Sequence, residues 1–131
     1  MKDIWGILMR KDDPLSWKNS FEASELDTLP LICSRQWIDQ ESPRWLGAAA
    51  KEMNIVATYN LVYNASLMVE DGLGYAICFD RLINTTGDSQ LCIRPLVPRM
   101  ENAGNLIWKK YQVFSPAVRL FIEEIRRLTE A

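Results

Sequence analysis

Polar residues that could bind an anion follow two predicted strands. Ser34 and Arg35 come directly after the apolar residues 30–33, and Asn60 follows the β-branched and aromatic run Ile55–Tyr59. A serine hydroxyl, a guanidinium and free backbone N–H groups can together bind a carboxylate or a phosphate. Open α/β sheets bind ligands outside the carboxyl ends of their strands. We therefore predict a binding site for an anionic small molecule at Ser34, Arg35 and Asn60.

Each of these residues also has a purely structural interpretation. Ser34 and Arg35 could belong to an ordinary polar loop, and Asn60 is a good N-cap for the helix that follows. Both interpretations stay open at this point. Two polar strand ends that face one edge of a sheet nevertheless favour a site more than either strand end does alone.

The sequence offers little for catalysis. It contains no histidine, and no cysteine, lysine or carboxylate pair is marked out by its spacing. The three cysteines match no zinc pattern, and Cys33 fits a small buried hydrophobic residue. Gly72-Leu73-Gly74 lacks the third glycine and the preceding strand of a dinucleotide site, and it fits the end of a helix. We predict no catalytic residue, no metal site and no cofactor.

Charge and composition limit the partners. With 15 basic and 17 acidic residues the formal net charge is -2, so this chain lacks the positive surface of a duplex-DNA binder. No apolar run approaches the roughly 20 residues that span a membrane. The odd number of cysteines suits a reducing compartment. We expect a cytoplasmic protein that binds neither nucleic acid nor membrane through this part.

The elements that must position these residues alternate between strands and helices. Ser42–Pro43 and Ser115–Pro116 each combine an N-cap serine with proline at the first helical position. Predicted strands cover residues 4–9, 30–33, 55–59, 75–79, 91–93 and 106–108. Predicted helices cover residues 25–27, 43–53, 61–69 and 116–128. This order predicts one α/β domain with a mixed, mostly parallel sheet flanked by helices.

Four segments, taken in order, resemble LysR-type transcriptional regulators. Residues 5–15 resemble the family's strand and "hydrophobic, Asp, His-or-Asp, Pro, Leu" turn, and residues 26–32 its "Leu-x-x-Leu-Pro-Leu-Ile" segment. Residues 69–77 are similar to "Val-x-x-Gly-hydrophobic-Gly-hydrophobic-Ala", and residues 115–122 to "Ser-Pro-Ala…Phe-Ile". Phe79-Asp80 depart from the family, which usually has a proline after the third segment. Together, in this order, the segments are specific.

The resemblance implies a fold and a function. Residues 1–131 would be an effector-binding domain fragment of the periplasmic-binding-protein type II-like fold. Residues 4–112 would form its second lobe, and residues 115–130 a C-terminal helix that normally packs on the first lobe. In the family an effector binds between the lobes, and Ser34, Arg35 and Asn60 match cleft positions. DNA would be reached only through the helix-turn-helix domain, which is missing here.

The resemblance also implies a homo-oligomer, because residues 43–53 and 55–58 resemble the part that forms antiparallel dimers with another subunit. Two alternatives remain at the level of the sequence. One is a small α/β enzyme, against which stands the absence of histidine and of a nucleophile–base pair. The other is a periplasmic solute-binding lobe, against which stands the absence of a signal peptide.

Overall fold

The computed structural model describes residues 2–47 and 53–130. The larger of two compact units comprises residues 3–102, and the smaller contains residues 103–130. The strands are β1 (Lys2–Arg10), β2 (Phe21–Glu22), β3 (Leu31–Ser34), β4 (Ile55–Tyr59), β5 (Tyr75–Phe79), β6 (Leu91–Val97) and β7 (Glu101–Ala103). The helices are α1 (Ala23–Leu26), α2 (Ser42–Leu46), α3 (Val62–Glu70) and α4 (Pro116–Thr129), with a 3₁₀ turn at Pro14–Trp17 and a π-helical segment at Trp37–Glu41.

The sheet has the strand order β2-β6-β1-β5-β3-β4, and β7 also pairs with β1. β3 runs parallel to both β4 and β5, and β2 runs parallel to β6. β1 is antiparallel to β5 and β6. The predicted α/β fold with a mixed, mostly parallel sheet is therefore confirmed.

The core lies on both faces of the central strands. Ile7 and Ile77 belong to one buried cluster, while their neighbours Leu8 and Ala76 belong to another. The first cluster also contains side chains of α1 and the π-helical segment, and the second contains side chains of α3. Burying one large aliphatic side chain stabilises a fold by about 1.5–3 kcal/mol. These two layers therefore hold the sheet edge that carries the polar residues.

One strand prediction needs correction, and two short strands were not predicted. Residues 106–108 are apolar but form no strand, and their side chains are exposed, that of Ile107 by 86%. A strand needs a neighbouring strand to satisfy its backbone groups, and apolar residue types cannot show whether one exists. Conversely, the short strands β2 and β7 were not predicted, because two or three residues carry no readable alternation.

The prediction that Ser42 is the N-cap of a helix starting at Pro43 is wrong, because α2 continues directly from the π-helical segment and Glu41 holds the N-cap position. Helical structure already begins at Arg35, and the Ser42 N–H donates to the Trp37 carbonyl, five residues back. Pro43 has no N–H and would clash with a carbonyl in a regular helix. The π-helical turn accommodates this proline. The described helix ends at Leu46 with Gly47 at φ 59°, and residues 48–52 of the predicted helix lie outside the described residues.

The smaller unit is built on α4. Ser115 Oγ accepts a hydrogen bond from the Val118 N–H at 3.4 Å, which confirms the predicted helix start. The Trp108 ring meets Phe114 edge-on, with centroids 6.1 Å apart, and the Arg126 guanidinium lies 5.7 Å from the Trp108 ring centroid. In residues 2–47 and 53–130, no helix is both long and apolar enough to cross a membrane.

Replacing Gly74 by alanine should destabilise the larger unit. A Cβ at Gly74 would overlap the Pro30 carbonyl oxygen, which also accepts the Tyr75 N–H at 2.9 Å. We expect Gly74→Ala to lower the free energy of unfolding by about 3 kcal/mol, measured by urea denaturation. Gly104→Ala is the control, because a Cβ there meets no atom within 4 Å. Equal stabilities of the two variants would contradict this packing.

Candidate functional site

The ends of four strands meet at one edge of the sheet. β3 and β4 lie side by side in parallel, with Ser34 opposite Tyr59. β5 pairs with the other side of β3, and β1 lies antiparallel to β5 with Trp5 opposite Phe79. The carboxyl ends of three strands and the amino-terminal part of β1 therefore border the same space. Arg35 and Asn60 follow β3 and β4 directly, so the structure brings all three predicted site residues to this edge.

Ser34 has a structural role at this edge. It is half-buried, and its Oγ accepts a hydrogen bond from the Trp37 N–H at 3.1 Å. Ser34 therefore caps the helical segment that begins at Arg35, and the loop interpretation of Ser34 is replaced by that of a helix cap. The helix that Ser34 caps therefore fixes its position at this edge.

Arg35 and Asn60 are exposed side chains whose polar groups are free of intramolecular partners within the described part of the chain. The N-cap position of α3 belongs to Leu61, not to Asn60, and no side chain caps this helix. The interpretation of Asn60 as a helix cap is therefore wrong. Its amide can both donate and accept hydrogen bonds, and the Arg35 guanidinium offers only donors.

Two adjoining hollows open at the edge. The first, which we call the polar hollow, has a volume of about 360 Å³ and is lined by Arg35, Thr58, Tyr59 and Asn60. The second, the apolar hollow, has a volume of about 230 Å³. Its lining residues are Trp5, Ser34, Gln36, Tyr59, Asn60, Leu61, Val62, Phe79 and Leu82. Tyr59 and Asn60 belong to both hollows, so a single small molecule could reach from one into the other.

Tyr59 fixes the floor between the hollows. Its phenol donates a hydrogen bond of 2.7 Å to the Ile77 carbonyl on β5, across the intervening β3. Burial raises the pKa of Tyr59 above its ordinary value, so the phenol stays neutral and keeps this bond at physiological pH. The side chain is rigid and is not available as a base. It shapes the site without reacting in it.

Cys33, the residue before Ser34, carries a thiol that is fully buried. Burial raises the pKa of the Cys33 thiol to about 12, so almost no thiolate exists at neutral pH. This agrees with its interpretation as a small core residue. Within residues 2–47 and 53–130, no group of three histidine, cysteine or acidic side chains is arranged to hold a metal ion.

Sequence reasoning missed the apolar wall of the site. Trp5 is only 2% exposed, and it lines the apolar hollow with Phe79, whose ring centroid lies 4.1 Å from that of Trp5. A prediction that β1 pairs antiparallel with β5 would have placed Trp5 and Phe79 next to each other. Leu61 and Leu82, which are exposed by 59% and 55%, carry no such signal.

The comparisons with known proteins identify the family. A model of the LysR substrate binding domain matches residues 1–130. The chain belongs to the LysR substrate-binding domain family. The family resemblance inferred from the four sequence segments is thereby confirmed. Domains of this family are the effector-binding parts of transcriptional regulators, which are not typically enzymes. No curated protein matches the sequence significantly.

Solved structures of LysR regulators share the fold at low sequence identity. HinK, a LysR family transcriptional regulator from Pseudomonas aeruginosa, is 16% identical with a TM-score of 0.69, over 98% of this chain and 46% of that one. The CcmR regulatory domain from Synechocystis PCC6803, in complex with 2-PG, is 13% identical with a TM-score of 0.63, over 98% and 64%. The reduced OxyR regulatory domain from Pseudomonas aeruginosa is 16% identical with a TM-score of 0.54, over 76% and 50%. The chain thus spans about half the length of HinK.

Ser34→Ala should destabilise the LysR substrate-binding domain, because it removes the acceptor for the Trp37 N–H. Loss of a serine N-cap costs about 1 kcal/mol, within a range of roughly 0.5–2 kcal/mol. Urea denaturation measures the loss, and Ser34→Thr, which keeps the hydroxyl, is the matched control. If Ser34→Ala is as stable as the parent chain, the cap contributes nothing.

Proposed function

We propose that this LysR substrate-binding domain recognises an anionic small molecule, a carboxylate, through Ser34, Arg35 and Asn60. The parallel pairing of β3 with β4 carries the proposal, because it sets the residues after both strands beside one space. Arg35 and Asn60 line the polar hollow together, and Ser34 and Asn60 line the apolar hollow together.

The charge at this edge favours an anion. Arg35 has no acidic partner among the residues that the structure describes, and Asn60 and the Ser34 hydroxyl add neutral donors. A guanidinium binds a carboxylate or a phosphate with two parallel hydrogen bonds, which are stronger than bonds between neutral groups. A site of this composition favours an anionic ligand over a neutral or cationic one.

Binding at this edge would be incomplete within the chain itself. The chain spans about half the length of HinK, and both hollows are open to solvent. We propose that residues 4–112 act as the second lobe of a two-lobed domain, whose first lobe closes over the ligand. The CcmR regulatory domain is described in complex with 2-PG, which supports a small-molecule site on this fold.

The ligand is bound, in our proposal, and not chemically changed. The buried Cys33 thiol is protonated at neutral pH, and Tyr59 is engaged with a backbone carbonyl. An effector would act by its different affinities for two arrangements of the lobes. DNA would be contacted only by a helix-turn-helix domain elsewhere in the regulator. We place the protein in the cytoplasm because Cys33, Cys78 and Cys92 are free thiols.

Arg35→Ala should weaken carboxylate binding. Loss of charge-assisted hydrogen bonds costs about 1.5–3 kcal/mol, which is a decrease in affinity of about tenfold or more. We would measure the affinity for acetate by ligand-observed NMR. Lys11→Ala is the matched control, because Lys11 follows the opposite end of β1. An equal loss of acetate affinity in both variants, or no loss in either, would contradict the proposed site.

Self-association is the second proposal for this domain. α4 carries an apolar stripe of Val118, Phe121, Ile122, Ile125 and Leu128, and no residue of α4 is buried. We propose that residues 115–130 pack on the first lobe in the regulator and that the chain forms homo-oligomers. Exposed apolar surface of this kind favours association.

Light scattering should therefore show that the mean mass increases with protein concentration. Phe121→Ser should shift this association to higher concentration, because Phe121 is 56% exposed on the stripe. Leu73→Ser is the control, since it removes an apolar side chain of similar exposure that lies outside α4. A chain that stays monomeric while circular dichroism shows α4 to be folded would disprove this proposal.

A further inference from the structure

Leu61 breaks a local rule of helix formation. It occupies the N-cap position of α3 with φ -108° and ψ 119°, and no side chain accepts a hydrogen bond from the first helical N–H groups. Serine, threonine, aspartate and asparagine are strongly preferred at this position, and leucine is strongly disfavoured. Leu61 does not compensate by filling the core, because it is 59% exposed. Departures from such rules concentrate at functional sites.

The surroundings of Leu61 indicate what it contacts. It lines the apolar hollow with Val62, and Leu82, which is 55% exposed, also lines it. The ring of Phe79 completes this apolar wall. Two large exposed leucines around one hollow present apolar surface to whatever fills it.

The apolar hollow is large enough to hold a ring. A volume of about 230 Å³ exceeds the roughly 150 Å³ of a cavity that binds benzene. Asn60 belongs to both hollows, so the polar groups that would hold an anion lie next to this apolar space. A ligand that fills both hollows therefore has an apolar part next to an anionic group.

We propose that the effector carries an apolar body about the size of a single ring next to its anionic group, and that Leu61 and Leu82 determine specificity by contacting that body. This inference rests on the proposed anion site and names the class of molecule that the site selects: a compact ring carboxylate. In this proposal the side chain of Leu61 covers the ligand and does not cap α3.

The test compares three probes with the full chain, with affinities measured by ligand-observed NMR. Cyclohexanecarboxylate has the ring and the charge, acetate only the charge, and cyclohexanecarboxamide only the ring. We expect cyclohexanecarboxylate to bind about tenfold or more tightly than acetate, from the apolar area that its ring buries. Leu61→Ser and Leu82→Ser should each weaken its binding by about threefold to tenfold and leave acetate unchanged.

Leu61→Ser also separates ligand contact from folding. Serine is a favoured N-cap residue, so this variant should melt at the same or a higher temperature than the parent while it loses affinity. Leu73→Ser is the control, because Leu73 is 48% exposed and lines neither hollow. It should leave the affinities for all three probes unchanged.

The outcomes distinguish this inference from the proposed function. Equal affinities for cyclohexanecarboxylate and acetate would overturn the inference, and so would full affinity for cyclohexanecarboxylate in both leucine variants. In either case, acetate binding that depends on Arg35 would still support the proposed anion site. If cyclohexanecarboxamide binds as tightly as cyclohexanecarboxylate and Arg35→Ala changes neither, the anion site is wrong and the ring contact stands. Failure of all three probes to bind would contradict both.

Discussion

The hydrogen bond from the Tyr59 phenol to the Ile77 carbonyl joins β4 to β5 across β3, at 2.7 Å and out of contact with solvent. It fixes the three parallel strands at the level where their carboxyl ends meet. A buried phenol without this acceptor would cost about 1–3 kcal/mol, so the strands are held in one arrangement. The polar residues after β3 and β4 depend on that arrangement for their proximity.

A second set of bonds places the apolar wall against the same edge. The Asp80 N–H donates to the Ile4 carbonyl at 2.9 Å, and the Asp80 carboxylate accepts the Ile4 N–H at 3.1 Å. These two bonds hold the start of β1 to the end of β5, and Trp5 consequently packs on Phe79. The antiparallel strand in a mostly parallel sheet thus supplies the aromatic side of the site.

The sequence allowed the strands β4 and β5 to be predicted with their observed bounds, because both are short apolar runs between clear turn residues. It also predicted that Ser34, Arg35 and Asn60 share an edge, since that follows from parallel pairing alone. It could not reveal the helix that passes through Ser42–Pro43, because a π-helical turn depends on packing and not on residue preference. Nor could it reveal Leu82, whose place at the hollow depends on the path of the loop after β5.

Helix capping and ligand recognition make different demands at this edge. Ser34 caps one helix and also lines the apolar hollow. Leu61 lines the same hollow but sits at the start of α3, which has no side-chain cap. The central claim, that ligands bind at the carboxyl edge of β3 and β4, is tested most directly by amide chemical-shift changes on adding cyclohexanecarboxylate to the ¹⁵N-labelled chain. The account predicts the largest changes at residues 34–36 and 59–62, whereas changes centred on residues 72–75, at the opposite edge, would contradict it.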